Sequence, residues 1–380
     1  MDSWGLQGQV IGEGGVARRG VVVVSDGRIA DVTPAPPIGV TVEDLGDALI
    51  TPGLIDLQIN GAFGHDFTLD PASAAAVAAG LPRYGVTAFL PTLITSPLET
   101  YPERLRVLAR LAEQGPPSSA AILGVHVEGP FLSYGKRGAH NPAYLRTPTV
   151  ESLRPLLAEG NVRIMTLAPE LPGAAESIAF LRQNGVVVSL GHSEADYDTA
   201  HVALEEGAGW GTHLFNAMPL LGHREPGLTG ALLERTLPPV GLIVDGVHVH
   251  PSAVRLAWRA KGVRGISLVS DAMAALGMPP GVYHLGDDDV IVDEVSARRA
   301  HGTLAGSILS MDEALRNMVA YTGCAPGEAV WMATGVPSDI LGLSSKGRLA
   351  PGLDADIVVL TPDLRVRRTI ICGETVYSQE

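Results

Sequence analysis

The sequence predicts an α/β protein: a TIM-like (β/α)8 barrel that carries a small β-sandwich domain formed by both termini. Strand-like apolar runs alternate with helical segments through the middle of the chain, and both ends are rich in short β-like pieces. Eight such runs can be counted in the middle, which is the number that a closed parallel barrel needs. An open doubly wound sheet remains an alternative, but its usual glycine-rich phosphate loop does not follow the first run, which ends in Gln58-Ile59-Asn60-Gly61.

The small domain is predicted from both ends of the chain. Near the N-terminus, GVVVVSDGRIADV places Asp26-Gly27 between two apolar runs, which is a hairpin pattern. The segments DADIVVLTP and RRTIICGETVY near the C-terminus have the same strand-like character. We therefore expect residues 1–51 and 346–380 to form the small domain and residues 52–345 to form the barrel.

The eight predicted barrel strands are separated, in most cases, by helical segments such as PLETYPERLRVLARLAEQ. Two helices are expected to begin at capping-box-like pairs, one at Ser193 with Asp196 and one at Ser310 with Glu313. The predicted strands are 54–60, 86–94, 121–128, 162–168, 186–191, 210–214, 239–245 and 265–270.

Composition excludes several classes of protein. The net charge of −14 argues against nucleic acid as a partner, because binding to a phosphate backbone needs a dense basic surface. Cys324 and Cys372 do not make a disulfide framework or a metal-binding spacing, which favours a reducing cytoplasm. No signal-peptide pattern and no run of about 18 apolar residues is seen, so no membrane association is expected.

Four of the apolar runs each end in a metal-binding or acidic residue: Glu128, His192, His213 and Asp271. Each residue alone has an ordinary explanation, as a capping carboxylate or a packed histidine. Together they are more informative, because the carboxyl ends of parallel strands open on one face of the sheet. One carboxylate and two imidazoles leave a coordination position open on a catalytic divalent ion, and Asp271 can take a proton from a water.

Further polar residues follow the predicted strand ends. His140 and Asn141 in KRGAHNP are either turn residues or hydrogen-bond donors to a reacting carbonyl oxygen. A lone arginine in a loop is usually a solvated charge. Arg224, however, lies among other polar residues in positions that suit a sugar and its phosphate. These residues are Asn216, His223, Arg224, His248 and His250.

The ordered motifs ITPGLIDLQINGAFG, HVEGPF, KRGAHNP, LGHS, THLFNAMPLLGHREPG, DGVHVH, SDA and LAGSILSM resemble those of the N-acetylglucosamine-6-phosphate deacetylases in the amidohydrolase superfamily. The resemblance runs from about residue 50 to the C-terminus. It implies a barrel of the metal-dependent hydrolase type that removes acetate from N-acetylglucosamine 6-phosphate.

The resemblance also implies roles for individual residues. Glu128, His192 and His213 would be the metal ligands, Asp271 would act as general base and then acid, and His140 would polarise the acetyl carbonyl. The substrate would be an amino-sugar phosphate, and a homodimer is implied because the arginine position reaches in from a neighbouring subunit. The residues that would hold the phosphorylated sugar are Ala139, Asn216, Ala217, Arg224, His248, Leu304, Ala305 and Gly306.

One position departs from the superfamily pattern. Where His-x-His is usual, this chain has Gln58-x-Asn60, and amides are poorer ligands for transition metals than imidazoles. The substitution resembles the single-metal subgroup, so we expect one divalent ion per subunit, zinc first, with iron or another divalent ion left open. His250 has no assigned role and is expected to pack.

Three alternatives remain at the level of sequence. The enzyme could prefer N-acetylgalactosamine 6-phosphate, or it could hydrolyse another amide within the same superfamily. The third alternative is a barrel that has lost catalysis and serves as an assembly or regulatory subunit. The intact set of Glu128, His192, His213 and Asp271 argues against this alternative.

Overall fold

The computed structural model describes residues 3–116 and 118–379, and it contains an eight-stranded parallel ring and a separate seven-stranded sheet. The strands, in chain order, are β1 Trp4–Ile11, β2 Ala17–Ser25, β3 Arg28–Thr33, β4 Thr41–Pro52, β5 Leu54–Ile59, β6 Gly61–Ala62, β7 His65–Asp66, β8 Val86–Ile94, β9 Ala121–Ile122, β10 Val125–Glu128, β11 Val162–Leu167, β12 Val187–Leu190, β13 Trp210–Gly211, β14 Val240–Leu242, β15 Ile266–Leu268, β16 Gly281–Leu285, β17 Asp288–Val292, β18 Ala297–Arg298, β19 Ile357–Leu360, β20 Val366–Ile371 and β21 Glu374–Ser378.

The α-helices mostly cover the outside of the ring. They are α1 Ala74–Gly80, α2 Tyr101–Gln114, α3 Val150–Ala158, α4 Ala174–Gln183, α5 Tyr197–Glu205, α6 Gly227–Leu233, α7 Pro251–Lys261, α8 Met311–Thr322, α9 Pro326–Met332 and α10 Gly335–Leu341.

The ring follows chain order, from β5 through β8, β10, β11, β12, β13 and β14 to β15, and neighbouring strands are parallel. Its first and last strands are joined by a parallel bridge between Ile59 and Ala272. Asp271 N donates to Gln58 O at 2.8 Å, and Asn60 N donates to Ala272 O at 2.7 Å. These bonds bring the first and eighth strand ends together, so the predicted (β/α)8 barrel is confirmed.

Burial explains why the barrel strands read as continuous apolar runs. Every residue of β5 and of β8 is buried, because the inner face packs inside the ring and the outer face packs under helices. One contiguous apolar cluster contains most of the buried strand and helix residues of the barrel. The strand ends are thus fixed by a large core, which gives the side chains that follow them a rigid support.

The termini together form the second sheet, in the order β21-β20-β19-β4-β1-β2-β3. Its pairs are antiparallel except for β1 with β4. Asp26 and Gly27, with φ of 54° and 73°, form the turn between β2 and β3, as the sequence predicted. The sheet has its own apolar cluster, which includes Leu6, Ile50 and Ile357.

A third, antiparallel sheet of β16, β17 and β18 lies between the eighth barrel strand and α8. The sequence analysis did not predict it. We call residues 281–298 the hairpin insertion. Gly286 N at its tip donates to Asp66 Oδ2 at 3.0 Å, which ties the insertion to the loop after the first barrel strand.

The predicted start of the helix after His192 was wrong. Helix α5 begins at Tyr197, and its N-cap is Asp196, whose Oδ1 accepts a bond from Thr199 N at 2.8 Å. Ser193 Oγ instead donates to Glu170 Oε2 at 2.7 Å. The serine is therefore used to fix the loop that leaves the barrel strand.

The second predicted cap differs in its bonding. Ser310 is the N-cap of α8, but its side chain does not cap the helix, and its Oγ donates to Asp312 Oδ1 at 2.7 Å. The third predicted strand, 121–128, is divided into β9 and β10 at Leu123-Gly124. None of the helices in the described part of the chain has the length and apolar character needed to span a bilayer.

Lys261 is a charged residue in the barrel wall. It is only 1% exposed, and its Nζ donates to Leu232 O, Arg235 O and Pro238 O at 2.6–2.8 Å. Burial lowers the pKa of Lys261 to about 8, which still leaves the ammonium protonated at neutral pH. The side chain therefore satisfies three carbonyl groups at the end of α6 and in the loop that follows.

We expect Lys261→Met to lower the free energy of unfolding by about 2–4 kcal/mol, because a buried carbonyl left without a donor costs about 1–3 kcal/mol. The measurement is a denaturant titration followed by circular dichroism. Arg259→Met in the same helix removes an equal charge from an exposed position and should change stability by less than about 0.5 kcal/mol. Equal denaturation midpoints for the two variants would contradict the role given to Lys261.

Candidate functional site

A cavity of about 300 Å³ opens at the carboxyl ends of the barrel strands. Among its lining residues are most of those that the sequence predicted. These are Glu128, Ala139, His140, His192, His213, Asn216, Ala217, His248, Asp271, Leu304 and Gly306. The structure therefore brings together residues from widely separated parts of the chain.

The three predicted metal ligands meet at one point in this cavity. Glu128 Oε1 lies 3.0 Å from His213 Nε2 and 3.2 Å from His192 Nε2, and the two nitrogens are 3.0 Å apart. All three residues are buried. These three atoms, two imidazole nitrogens and one carboxylate oxygen, cannot all be satisfied by hydrogen bonds to one another. A divalent cation accepts one electron pair from each atom, so this donor set fits a metal ion.

The second nitrogen of His192 supports the same conclusion. His192 Nδ1 lies 2.9 Å from the carbonyl oxygen of Lys136, which can only accept. Nδ1 therefore carries the hydrogen, and Nε2 of the neutral ring presents a lone pair towards Glu128 and His213. A backbone carbonyl bonded to the far nitrogen is the usual way in which proteins orient a metal-binding histidine.

His140 offers a competing ligand set, since Glu128, His140 and His192 also place ligand atoms within 4.8 Å of one another. Its hydrogen bonds indicate a different role. Thr95 N donates to His140 Nδ1 at 3.3 Å, and Thr95 Oγ1 lies 2.7 Å from the same atom. Because Nδ1 accepts, the hydrogen of the neutral ring is on Nε2. Burial, together with the neighbouring His192, lowers the pKa of His140 to about 3, so this neutral ring can donate from Nε2 into the cavity.

Asp271 is held by two amide side chains. Its Oδ1 accepts from Asn60 Nδ2 at 2.8 Å and from Gln58 Nε2 at 3.2 Å. Gln58 Nε2 also donates to Glu128 Oε1 at 3.0 Å. The side-chain amides of Gln58 and Asn60, which stand where the superfamily usually has His-x-His, thus donate hydrogen bonds to carboxylates. Asp271 Oδ2 is left for other partners.

The pKa values of three buried groups, Glu128, His213 and Asp271, are shifted from their ordinary values. Burial opposes the charge of Glu128, but the neighbouring imidazoles of His192 and His213 outweigh it and hold the pKa of Glu128 well below its usual range. Burial also opposes the charge of His213, and its bond to Glu128 nevertheless raises its pKa. Burial and the charge of Glu128 raise the pKa of Asp271 to about 6. Asp271 is therefore a stronger base than an exposed aspartate.

Of the metal-binding, catalytic and sugar-binding residues that the resemblance implies, two lie outside this lining in the part of the chain that the structure describes. Ala305 is buried beside the cavity and is 1% exposed. Arg224 is exposed and lies in a separate groove with Glu194 and Leu220. Its side chain therefore lies at the surface of this chain, away from the cavity.

The two histidines of DGVHVH have different surroundings. His248 lines the cavity, and its Nδ1 lies 2.6 Å from Asp245 Oδ2, which fixes the ring. His250 is the N-cap of α7, and its Nδ1 accepts from Ser252 N at 3.1 Å. His250 therefore supports a helix, where simple packing was expected.

The sequence analysis missed several contributors to the site. Thr95 orients His140, the backbone of Lys136 orients His192, and Asp245 orients His248. Ile94 and Leu285 add apolar surface to the cavity. Thr95, Ile94 and Asp245 could have been found, because each ends or directly follows a predicted strand. Lys136 and Leu285 depend on contacts between distant segments.

Comparison with known proteins places this geometry in context. Residues 49–376 match the amidohydrolase family. The N-acetylglucosamine-6-phosphate deacetylase of Bos taurus is 46% identical over 352 residues, covering 89% of this chain and 85% of that protein. The N-acetylgalactosamine-6-phosphate deacetylase of Escherichia coli O157:H7 is 39% identical over 355 residues, covering 92% of this chain and 93% of that one.

A solved structure is similar over the whole chain. It is a mutant N-acetyl-D-glucosamine-6-phosphate deacetylase from Mycobacterium smegmatis in complex with N-acetyl-D-glucosamine-6-phosphate, with a TM-score of 0.94, 36% identity and 100% coverage of both chains. The fold of this chain is therefore shared along its whole length with that solved structure.

Proposed function

The chain belongs to the amidohydrolase family, and we propose that it removes the acetyl group from N-acetyl-D-glucosamine 6-phosphate, giving D-glucosamine 6-phosphate and acetate. The observation that carries the proposal is the convergence of Glu128, His192 and His213 beside Asp271 at the barrel mouth. The names of the similar proteins support the substrate. The two cysteines are both free, which fits the reducing cytoplasm that we propose as the compartment.

Glu128, His192 and His213 would hold one divalent ion, for which zinc is our first choice, with iron or another divalent ion as alternatives. Such an ion, when bound, polarises a carbonyl oxygen and makes a water more acidic. The remaining steps fall to the side chains of this chain. Their order follows from which atoms are free to accept or to donate a proton.

Asp271 serves as the general base and then as the general acid. Its Oδ1 is occupied by the amides of Gln58 and Asn60, so Oδ2 takes the proton of the attacking water. The same oxygen then delivers that proton to the nitrogen of the leaving amine. Because its pKa is raised, Asp271 can perform both steps near neutral pH.

His140 stabilises the charge that develops on the acetyl oxygen. The neutral ring donates from Nε2, since Thr95 fixes its other nitrogen as an acceptor. A donor that is already oriented costs little reorganisation during the reaction. Asn216, the backbone of Ala217 and His248 would hold the sugar phosphate. Ala139, Leu304 and Gly306 would be further walls, with the buried Ala305 between the last two.

The decisive assay is acetate release from N-acetyl-D-glucosamine 6-phosphate and from its galacto isomer, with both unphosphorylated sugars as controls. We expect the gluco phosphate to be the better substrate. Removal of metal by a chelator should abolish the activity, and added zinc should restore it. Equal rates with and without phosphate would contradict the proposed substrate, and absence of any amide hydrolysis would contradict the enzyme assignment.

Replacing the proton carrier tests the mechanism. We expect Asp271→Asn to lower kcat by about 10²–10⁴-fold, because an amide keeps the shape but cannot accept a proton. Metal content and substrate binding should remain close to wild type, as measured by elemental analysis and by calorimetry. A residual rate within tenfold of wild type would contradict the role of Asp271.

The choice between the two possible ligand sets is also testable. His213→Ala should lose most of its metal on dialysis, since only two protein ligands remain, and Glu128→Ala and His192→Ala should behave alike. His140→Ala should keep one ion per chain, because we assign it to the substrate. Elemental analysis of the four variants decides between them, and metal loss in His140→Ala with retention in His213→Ala would reverse the assignment.

Arg224 is proposed to bind the phosphate in the site of a neighbouring subunit, since it lies outside the cavity of its own chain. A charge-assisted hydrogen bond to phosphate is worth about 1.5–3 kcal/mol, so Arg224→Ala should lower kcat/KM for the phosphorylated substrate by about 10- to 150-fold. The slow reaction of the unphosphorylated sugar should hardly change.

Mixed dimers test whether the arginine acts across subunits. Arg224→Ala mixed with Asp271→Asn should regain activity, because one of the two sites then contains both native residues. Arg259→Ala, an exposed control, should not affect either substrate. Equal loss on both substrates in Arg224→Ala would show that the residue supports the fold or the interface.

A further inference from the structure

We propose that Ile94 and Leu285 form an apolar subsite for the methyl group of the acyl chain and that they limit the enzyme to short N-acyl groups. The inference rests on the proposed function, because it concerns the acyl group that the reaction releases. It assigns a purpose to the hairpin insertion, which carries Leu285.

Ile94 is placed beside the reacting groups by the register of the barrel. It ends β8 and pairs directly with Glu128 of the next strand. The following residue, Thr95, holds His140. Ile94 is 5% exposed and lines the cavity, so the surface that it retains faces the site.

Leu285 reaches the same wall from the hairpin insertion. It ends β16 and is 5% exposed. The next residue, Gly286, is held by Asp66, and a Cβ placed on Gly286 would lie 3.0 Å from Ile94 Cδ1. The tip of the insertion is therefore packed against Ile94, and both side chains belong to one apolar cluster.

The substituents of the reacting carbon decide which part of the substrate meets this wall. In the proposed mechanism, the carbonyl oxygen lies towards His140, and the nitrogen lies towards Asp271 and the sugar. The third substituent is the methyl group. A methyl group is buried favourably against an apolar wall, because no polar group of the protein then loses its contact with water. The wall next to Glu128 and His140 is such a surface.

The size of this subsite predicts acyl selectivity. One extra methylene in a fitted apolar pocket changes kcat/KM by about 10–200-fold, so the wild type should process N-propionyl-D-glucosamine 6-phosphate that much less well than the N-acetyl substrate. Leu285→Ala and Ile94→Ala each create space, and each should raise the propionyl-to-acetyl ratio of kcat/KM by at least about tenfold.

Ile291→Ala is the matched control. Ile291 lies in the same insertion but is 55% exposed, so its variant should keep the wild-type ratio. Because both substrates are compared within each variant, a loss of correctly folded enzyme cancels from the ratio. Circular dichroism and metal content of each variant complete the comparison.

The proposal is overturned if neither Leu285→Ala nor Ile94→Ala changes the acyl ratio, or if Ile291→Ala changes it as much. It is also overturned if these variants alter the preference between gluco and galacto substrates and leave the acyl ratio as it was, since the side chains would then contact the sugar. Failure of the wild type to release acetate from the N-acetyl substrate is a separate result, and it would contradict the proposed function itself.

Discussion

Closure of the barrel between its first and eighth strands is the constraint on which the site depends. The backbone bonds of Gln58 and Asn60 with Asp271 and Ala272 join two segments more than two hundred residues apart. The same residues meet again through their side chains, because both amides donate to the Asp271 carboxylate. The bonds that close the ring therefore also set the direction of the proposed base. A small change in closure would move Asp271 relative to Glu128, to which Gln58 also donates.

Backbone geometry at the strand ends shows what this arrangement costs. His192, His213 and Asp271 have φ of 49°, 26° and 47°, in the left-handed region that favours glycine. Such conformations cost about 1–3 kcal/mol each and persist when the surrounding structure enforces them. Each of these residues follows a buried strand, and the sharp turn there projects its side chain into the cavity. The large apolar core of the barrel offsets this strain, so the core stabilises the fold and also makes the site possible.

The sequence predicted those parts of the site that depend on residue type at a strand end. Glu128, His192, His213 and Asp271 could be found because a long apolar run stops at an ionisable side chain. The oriented tautomer of His192 could not be predicted, since its partner is a backbone carbonyl that any residue would supply at position 136. The hairpin insertion and Leu285 were missed because their packing on Ile94 joins segments nearly two hundred residues apart. The proposed role of Arg224 depends on a neighbouring subunit, which no local pattern describes.

The distribution of buried charge explains how a protein with a net charge of −14 can serve an anionic substrate. Three buried carboxyl groups lie near one another in the barrel: Glu128, Asp271, and Asp56 of β5, whose Oδ2 accepts a hydrogen bond from Ser270. Burial raises the pKa of Asp56 to about 7 and that of Asp271 to about 6, whereas two histidines keep the pKa of Glu128 low. A cation held beside Glu128 would oppose this rise in the pKa of Asp271 and keep the carboxylate ready to accept a proton. The negative charge thus favours the proposed cation at the centre of the site, and attraction of the phosphate must come from directional donors at its rim.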